Sequence, residues 1–281
     1  MPKLSIITPI YNSADYLEQL LDSVAELRTP HEHLVLDAAS SDGTVTLLSE
    51  RDDPVLDWVS EPDRGQTHAV NKGLAKATGE YVNWVNGDNA YHPEAVDRAV
   101  ALLDSDPGVD LVFGGIDIID EQGAQRRRYV PAPYDWRRYL FIGDYIPTET
   151  IIFRRSLLDQ TGYLDESFQD GADYDFYLRL FHGRQVARLP EPMLLYRFHP
   201  ASKTASDPWL ALREHRTIRA QWARGPLDRA VMTGIYRLKL AVLPHIAPHW
   251  PRPYPDEPAS SFRAAHASTA AGNGLGPQNQ R

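Results

Sequence analysis

The sequence predicts an α/β fold with a mostly parallel central sheet, and two observations carry that prediction. Over the first 110 residues, short apolar, β-rich runs alternate with stretches whose apolar residues recur at helical spacing. The connections between them are short. Strand–helix alternation of this kind places helices on both faces of the sheet. Helical patterning returns late in the chain and adds C-terminal helices.

The elements follow in order. LSIITPIY (4–11) is the first strand. Residues 14–28 form a helix, with Leu17, Leu20, Leu21, Val24 and Leu27 at helical spacing and Ser13 as its cap. HLVLDAA (33–39) is a strand, SSDG a turn and 44–51 a short helix. LDWVSE (56–61) is a strand and THAVNKGLAKA (67–77) a helix. EYVNWVNGD is the fourth strand, 92–106 a helix with Pro93 in its first turn, and 109–120 a fifth strand. From 121 to 160 the alternation is lost: EQGAQRRRYV reads as a hairpin return and the following segment as irregular. Helices are expected at 154–161, 172–182, about 207–223 and 226–243. VARLPEPMLLYRFHPASKT reads as strand, turn and second strand. The organisation expected is a regularly alternating half (1–120), a less regular half (121–205), a helical extension (206–250) and a disordered tail (251–281).

Composition narrows the function. The 281 residues are 42% hydrophobic and 24% charged, an ordinary globular balance. A net charge of -9, from 29 basic and 38 acidic residues, argues against a nucleic-acid binder. There are no cysteines, so any metal must be held by oxygen or imidazole. MPKLSIITPIYN starts a strand at once and lacks the regions of a signal peptide. A cytoplasmic location is expected, with contact at the inner face of the membrane left open.

In an open, mostly parallel sheet the ligand sits at the carboxyl ends of the strands. The polar residues there are Asn12, Asp37, Glu61 with Asp63, and Asp88. Asp88 follows the apolar Val82, Trp84 and Val85 and could bind Mg²⁺ or Mn²⁺, which commonly take one or two carboxylates plus substrate phosphate. NGDN is equally readable as a tight turn. Asp37 could accept from the imide N–H of a pyrimidine base, or cap the next turn. Asp63, in EPDRGQ, could contact base and ribose, or form a loop ion pair. Asp173, in DGADYDFYLRLF, could be a general base at a cleft mouth, or a helix cap. Arg197, His199 and Lys203 in YRFHPASKT could close over a diphosphate, or lie in a solvated loop.

Five segments, taken in order, resemble family 2 glycosyltransferases of the GT-A fold. LSIITPIYNSADYLEQLLDSV resembles the family's opening strand, turn and helix, and LDAASSDGT its DGSTDGT segment. EPDRGQTHAVNKGLAKATGEYVNWVNGDNAYHPEAV resembles the stretch that carries the DxD-like motif. IFRRSLLDQTGYLDESFQDGADYDFYLRL resembles the region of the catalytic carboxylate, and YRFHPASKT the closing HxxSKT segment. The similarity covers roughly residues 3–204.

The resemblance implies a Rossmann-like sheet and an inverting, metal-dependent transferase of hexosyl type, using Mn or Mg. Its donor would be a nucleotide-sugar, UDP or dTDP favoured. Its acceptor would be a hydroxyl of a glycan, lipid-linked or small-molecule partner, in cell-surface polysaccharide biosynthesis. It implies that Pro9, Tyr11 and Asp37 line the nucleobase pocket, with Asp63 and Gln66 beside base and ribose. Asp88 matches the metal-ligating carboxylate, with His199 as a second ligand, and Asp173 the general base. Arg197, His199 and Lys203 match the diphosphate segment. The sequence departs from the pattern at Asn86, Asn89 and Ala172, where carboxylates are common. Those departures keep open a degenerate nucleotide- or glycan-binding protein, which a donor hydrolysis or transfer assay would tell apart. A nucleotidyltransferase would need a glycine-rich loop after the first strand, and a dinucleotide oxidoreductase G-x-G-x-x-G; TPIYNSADY has neither. The helix at 227–243 carries Arg229, Arg237 and Lys239 among apolar residues. It could rest on a membrane, or pack on the catalytic domain or a dimer partner.

Overall fold

The first strand, β1 (Leu4–Ile10), is buried along its whole length. A strand covered on both faces reads as a continuous apolar run rather than an alternating one, and LSIITPI is such a run. In the computed structural model, which describes residues 1–199 and 208–246, β1 is flanked by β2 (His31–Asp37) and β4 (Tyr81–Trp84), both parallel to it. β3 (Leu56–Ser60) adds to β2, again in parallel. Lys203 and the segment 251–281, about which the sequence made expectations, lie outside the described residues.

Beyond β4 the sheet turns antiparallel. β8 (Ile152–Arg154) pairs antiparallel with both β4 and β6 (Leu111–Ile119). β6 then pairs in parallel with β9 (Val186–Arg197), and the two-residue β5 (Ala90–Tyr91) closes the edge against β9. β7 (Gln125–Tyr129) returns beside β6 as a hairpin. Among the described residues the sheet order is β3-β2-β1-β4-β8-β6-β9-β5, with β7 on β6.

The helices cover both faces. α1 (Leu17–Ala25) and α4 (Pro93–Ser105) pack Leu17, Leu20, Val24, Val96 and Leu103 against Leu4, Ile6 and Val35 of the sheet. α3 (Gln66–Lys76) and α7 (Ala172–Phe181) cover the other face with Val70, Leu74, Phe176 and Tyr177 against Ile7, Trp84 and Phe153. α2 (Thr44–Glu50), α5 (Trp136–Ile142) and α6 (Leu158–Thr161) are short. α8 (Pro208–Gln221) and α9 (Pro226–Ile246) follow β9. Residues Met1–Tyr236 form one compact unit, and the chain from Arg237 on is assigned to a second. No described helix is long and apolar enough to cross a membrane.

Four local expectations are corrected. Ser13 does not cap α1 with its side chain; its carbonyl accepts the N–H groups of Tyr16 and Leu17, and the helix begins at Leu17. The stretch from 186 is one strand rather than two, despite Pro190 and Pro192. The β6–β9 register shifts on either side of Gly115, and such an irregularity tolerates prolines. The segment 131–153 is not irregular throughout, since it contains α5, a 3-10 turn at Thr148–Thr150 and the start of β8. The helix expected at 154–161 is a 3-10 turn at Arg155–Leu157 leading into the single turn of α6.

Two residues near the strand ends have left-handed backbones: Asn12 (φ 50°) and Ala39 (φ 56°). Asn tolerates that region; alanine does so at a cost of roughly 1–2 kcal/mol. Ala39→Gly should relieve this and raise the unfolding free energy by about 0.5–1 kcal/mol, after the entropy that glycine adds to the unfolded chain. Chemical denaturation measures it, and a loss of stability would show that the loop does not hold this conformation.

Candidate functional site

The loop after β4 explains its own composition. Asn86 donates its backbone N–H to Glu149 Oε2 at 2.9 Å and its side-chain amide to Oε1 at 2.8 Å. The Asn89 amide reaches Oε2 at 2.7 Å. A buried carboxylate therefore lies under the loop, and amides at 86 and 89 are what it needs. Carboxylates there would offer its oxygens no side-chain N–H donors. Gly87 is also required, because a Cβ at that position would stand 2.5 Å from Ile10 Cγ2. Glu149 escaped the sequence reading. Its only signal was an acidic residue immediately before the apolar run TIIF.

Asp88 stands above this base. Its Oδ2 lies 3.0 Å from His199 Nε2, while its Oδ1 is buried and has no hydrogen-bond partner among the described residues. An orphaned carboxylate oxygen beside an imidazole fits a divalent cation that takes one or two protein ligands and completes its shell with water and phosphate. Among the described residues no group of three or more acidic or histidine side chains forms a self-sufficient metal site.

Arg197 was expected at a diphosphate. Here its buried guanidinium is bonded to protein oxygens behind Asp88. Nε donates to the Asp88 carbonyl at 3.0 Å, Nη1 to the Asp120 and Glu121 carbonyls at 2.9 Å each, and Nη2 to Gln19. Its backbone N–H donates to Asn89 Oδ1 at 2.8 Å. The guanidinium also sits 4.6 Å from the Tyr16 ring centre, and Tyr16 in turn packs on His199 with centroids 5.2 Å apart. The β5–β9 pairing, Ala90 opposite Leu195, brings these residues together across more than a hundred positions.

The expected nucleobase residues lie at the ends of β1 to β3. Pro9 sits within β1, opposite Leu36 of β2, and Tyr11 follows β1 with its ring exposed. Asp37 ends β2 and is buried. Its carboxylate accepts the Ser40 hydroxyl, the Ser40 N–H at 3.0 Å and the Ser60 hydroxyl at 2.5 Å. Asp63 accepts the Gly65 N–H at 2.7 Å and shapes the turn into α3. Gln66, at the start of α3, donates to Asn86 Oδ1 at 2.6 Å, which joins this side to the Asp88 loop.

Asp173 is half-buried in the first turn of α7, with Oδ1 accepting the Tyr174 N–H at 2.7 Å. Asp175, two residues on, is buried and paired with Arg179 at 2.9 Å. One turn after Asp173, Tyr177 stacks on Trp84 with centroids 5.0 Å apart and donates to the Thr148 carbonyl at 3.1 Å. Burial, then the Asp173 and Glu149 carboxylates, push the Tyr177 hydroxyl far up, so this ring lies within electrostatic reach of both acids. The Trp84–Tyr177 stack thus links the start of α7 to the strand that carries Asp88.

Known proteins share this plan. The model of the family described as Glycosyl transferase family 2 matches residues 5–162, more than half of the chain. An uncharacterized glycosyltransferase of Mycobacterium tuberculosis is 32% identical over 182 residues, 63% of this chain and 68% of its own length. One from Rickettsia prowazekii is 26% identical over 211 residues, 72% of this chain and 66% of its own length, just under two thirds. Among solved structures, S. aureus TarS 1-349 in complex with UDP-GlcNAc superposes with a TM-score of 0.66 at 21% identity, covering 88% of this chain and 78% of that one. The mannosyltransferase PcManGT from Pyrobaculum calidifontis, in complex with GDP-Man and Mn2+, gives 0.60 at 23% identity, covering 96% and 80%. The chain belongs to glycosyl transferase family 2 and has the GT-A fold.

Burial, and next the Asp88 carboxylate, push Glu149 up to about 8; its three amide donors pull the other way without offsetting burial. The sign of the consequence follows. Below the usual value of 4.5 the group is neutral in both the folded and the unfolded chain. Between there and about 8 only the unfolded chain ionises, so stability falls as pH rises through that window. Glu149→Gln should flatten this dependence in denaturation curves taken across the window. An unchanged slope would place the titration elsewhere.

Proposed function

We propose that this glycosyltransferase inverts the anomeric centre of a nucleoside-diphosphate sugar, UDP or dTDP being favoured, as it transfers the sugar to a hydroxyl. The acceptor class is a glycan, lipid-linked or small-molecule hydroxyl of cell-surface polysaccharide assembly. The observation that carries the reading is Asp88. It is a carboxylate in the loop after β4, with one oxygen against His199 and the other buried and without a hydrogen-bond partner among the described residues. The donors bound by TarS (UDP-GlcNAc) and PcManGT (GDP-Man) support the donor class.

In this reading Asp88 and His199 are the residues that would hold Mn²⁺ or Mg²⁺. When bound, the cation neutralises charge that builds on the leaving nucleoside diphosphate. Arg197 fixes the Asp88 carbonyl and the Asn89 side chain, so the carboxylate enters the reaction already oriented. Asp37 sets the loop that receives the base, and Gln66 bridges from the ribose side to Asn86. Asp173 accepts the proton of the acceptor hydroxyl. The acceptor oxygen forms its bond to the anomeric carbon as the bond to the diphosphate oxygen breaks, and the electron pair leaves with the diphosphate. A single displacement of this kind inverts the configuration.

The two carboxylates are therefore expected to fail differently. Asp88→Ala should lose metal-dependent binding of UDP or dTDP in calorimetry and lose turnover with it. Asp173→Asn should slow transfer by about 10²–10⁴-fold while nucleotide affinity stays near that of the wild type. Equal loss of donor affinity in both variants would defeat this division of roles.

A further inference from the structure

Helix α8 lies beyond the stretch the family model matches, yet it grips the start of α7 at two places. The first grip is Glu214. Its carboxylate accepts three consecutive backbone N–H groups, from Gln169 at 3.0 Å, Asp170 at 2.8 Å and Gly171 at 2.7 Å. These residues lead directly into Ala172, where α7 begins. N–H groups at a helix start have no partner within the helix, and a carboxylate there also meets the positive end of the helix dipole. Burial raises the Glu214 carboxyl, but the three N–H groups outweigh it and hold the group below the usual carboxylate range. The fit leaves no slack. A Cβ on Gly171 would stand 2.8 Å from Ile218 Cδ1 and 3.1 Å from Glu214 Cβ.

The second grip is on Tyr174. The His215 ring stacks on it with centroids 4.3 Å apart, and the buried Arg219 donates from Nε to its hydroxyl at 3.0 Å. The Tyr174 hydroxyl in turn meets the Tyr139 and Leu140 carbonyls of α5 at 3.1 and 3.0 Å. Asp173 lies between the two grips, one residue before Tyr174 and two after Gly171.

We infer that Glu214 is a positioning residue that sets the backbone from which Asp173 reaches the acceptor hydroxyl. The inference rests on the reading of Asp173 as the general base. A base must come within about 2.6–3.2 Å of the proton it takes. A misplacement of about 1 Å can lower the rate by about 10²-fold. Without Glu214, three adjacent N–H groups lose their common acceptor, and the first turn of α7 is held from one side only. The donor contacts lie on other elements and do not depend on Glu214.

Three measurements on the full chain test this with Glu214→Gln and Glu214→Ala. Glu214→Gln keeps the side-chain volume and carries the test if Glu214→Ala does not fold. Amide hydrogen exchange without ligand should quicken in the peptide that spans 168–175 and stay unchanged in β1 and β4. Turnover should fall by about 10- to 100-fold with the calorimetric affinity for UDP or dTDP within about twofold of wild type. Asp173→Asn combined with Glu214→Gln should be no slower than Asp173→Asn alone, because a residue that acts through the base has nothing left to act through. Unchanged exchange would remove the structural premise. Faster exchange with undiminished turnover would overturn the positioning role, as would losses that multiply in the double variant. An Asp173→Asn enzyme at wild-type rate would instead overturn the assignment of the base, and the exchange result would stand apart from it.

Discussion

The site depends on one buried carboxylate. Glu149 comes from the segment that precedes β8, yet its oxygens hold Asn86 and Asn89 of the loop after β4. Asn83, within β4, adds hydrogen bonds to the Glu149 and Ile151 carbonyls at 3.0 and 2.8 Å. The parallel part of the sheet and the antiparallel part thereby meet on a polar seam rather than on packing alone. Burying an ionisable group is costly unless its partners are in place, and a half-satisfied network would be worse than none. That asymmetry is what makes the seam specific. A loop shifted by one residue would leave Glu149 and both amides without partners.

The same seam gives the reduced charge of the loop a physical reason. Asn86 and Asn89 stand where carboxylates are common in the resembling family. Read alone, they point to a weakened metal site and a degenerate protein. In the structure the missing acid lies beneath the loop as Glu149, and the amides are its donors. Asp88 is left as the loop's single carboxylate, partly buried, with His199 opposite. Two further carboxylates packed against Glu149 would supply neither of the side-chain N–H donors that its oxygens now accept. The amides let one acid face the site while the other stays hidden beneath the loop.

Much of the fold was legible, and the reasons it was legible also mark where reading failed. β1 to β4, α3 and α4 lie within a residue or a few of the ranges that their periodicity gave, because each carries in its own sequence the apolar run or stripe that must be buried. β5 has two residues and β8 three, too short to show a period. They exist because β9 and β4 offer them a partner. α5 reads as irregular because WRRYLFI mixes arginines with aromatics that pack on α7 rather than along one stripe. The site divides in the same way. Asp88, Asp173 and Asp37 stand out as polar residues at element ends. Ser60 as a partner of Asp37, Gln66 as a partner of Asn86, and Glu149 are visible only once strands far apart in sequence are neighbours.

Arg197 shows that one residue type can serve two kinds of contact. An arginine next to a histidine near the end of the catalytic unit invites the reading of a phosphate clamp. Guanidinium donors, however, satisfy carbonyl oxygens as well as phosphate oxygens. Four protein oxygens and the Tyr16 ring surround this one, at the point where the loops after β4 and β6 meet the end of β9. By donating to the Asp88 carbonyl and the Asn89 side chain, Arg197 fixes that loop from behind. Direct phosphate contact and this supporting role ask for the same residue type, and the oxygens bonded to Arg197 here are those of the supporting role.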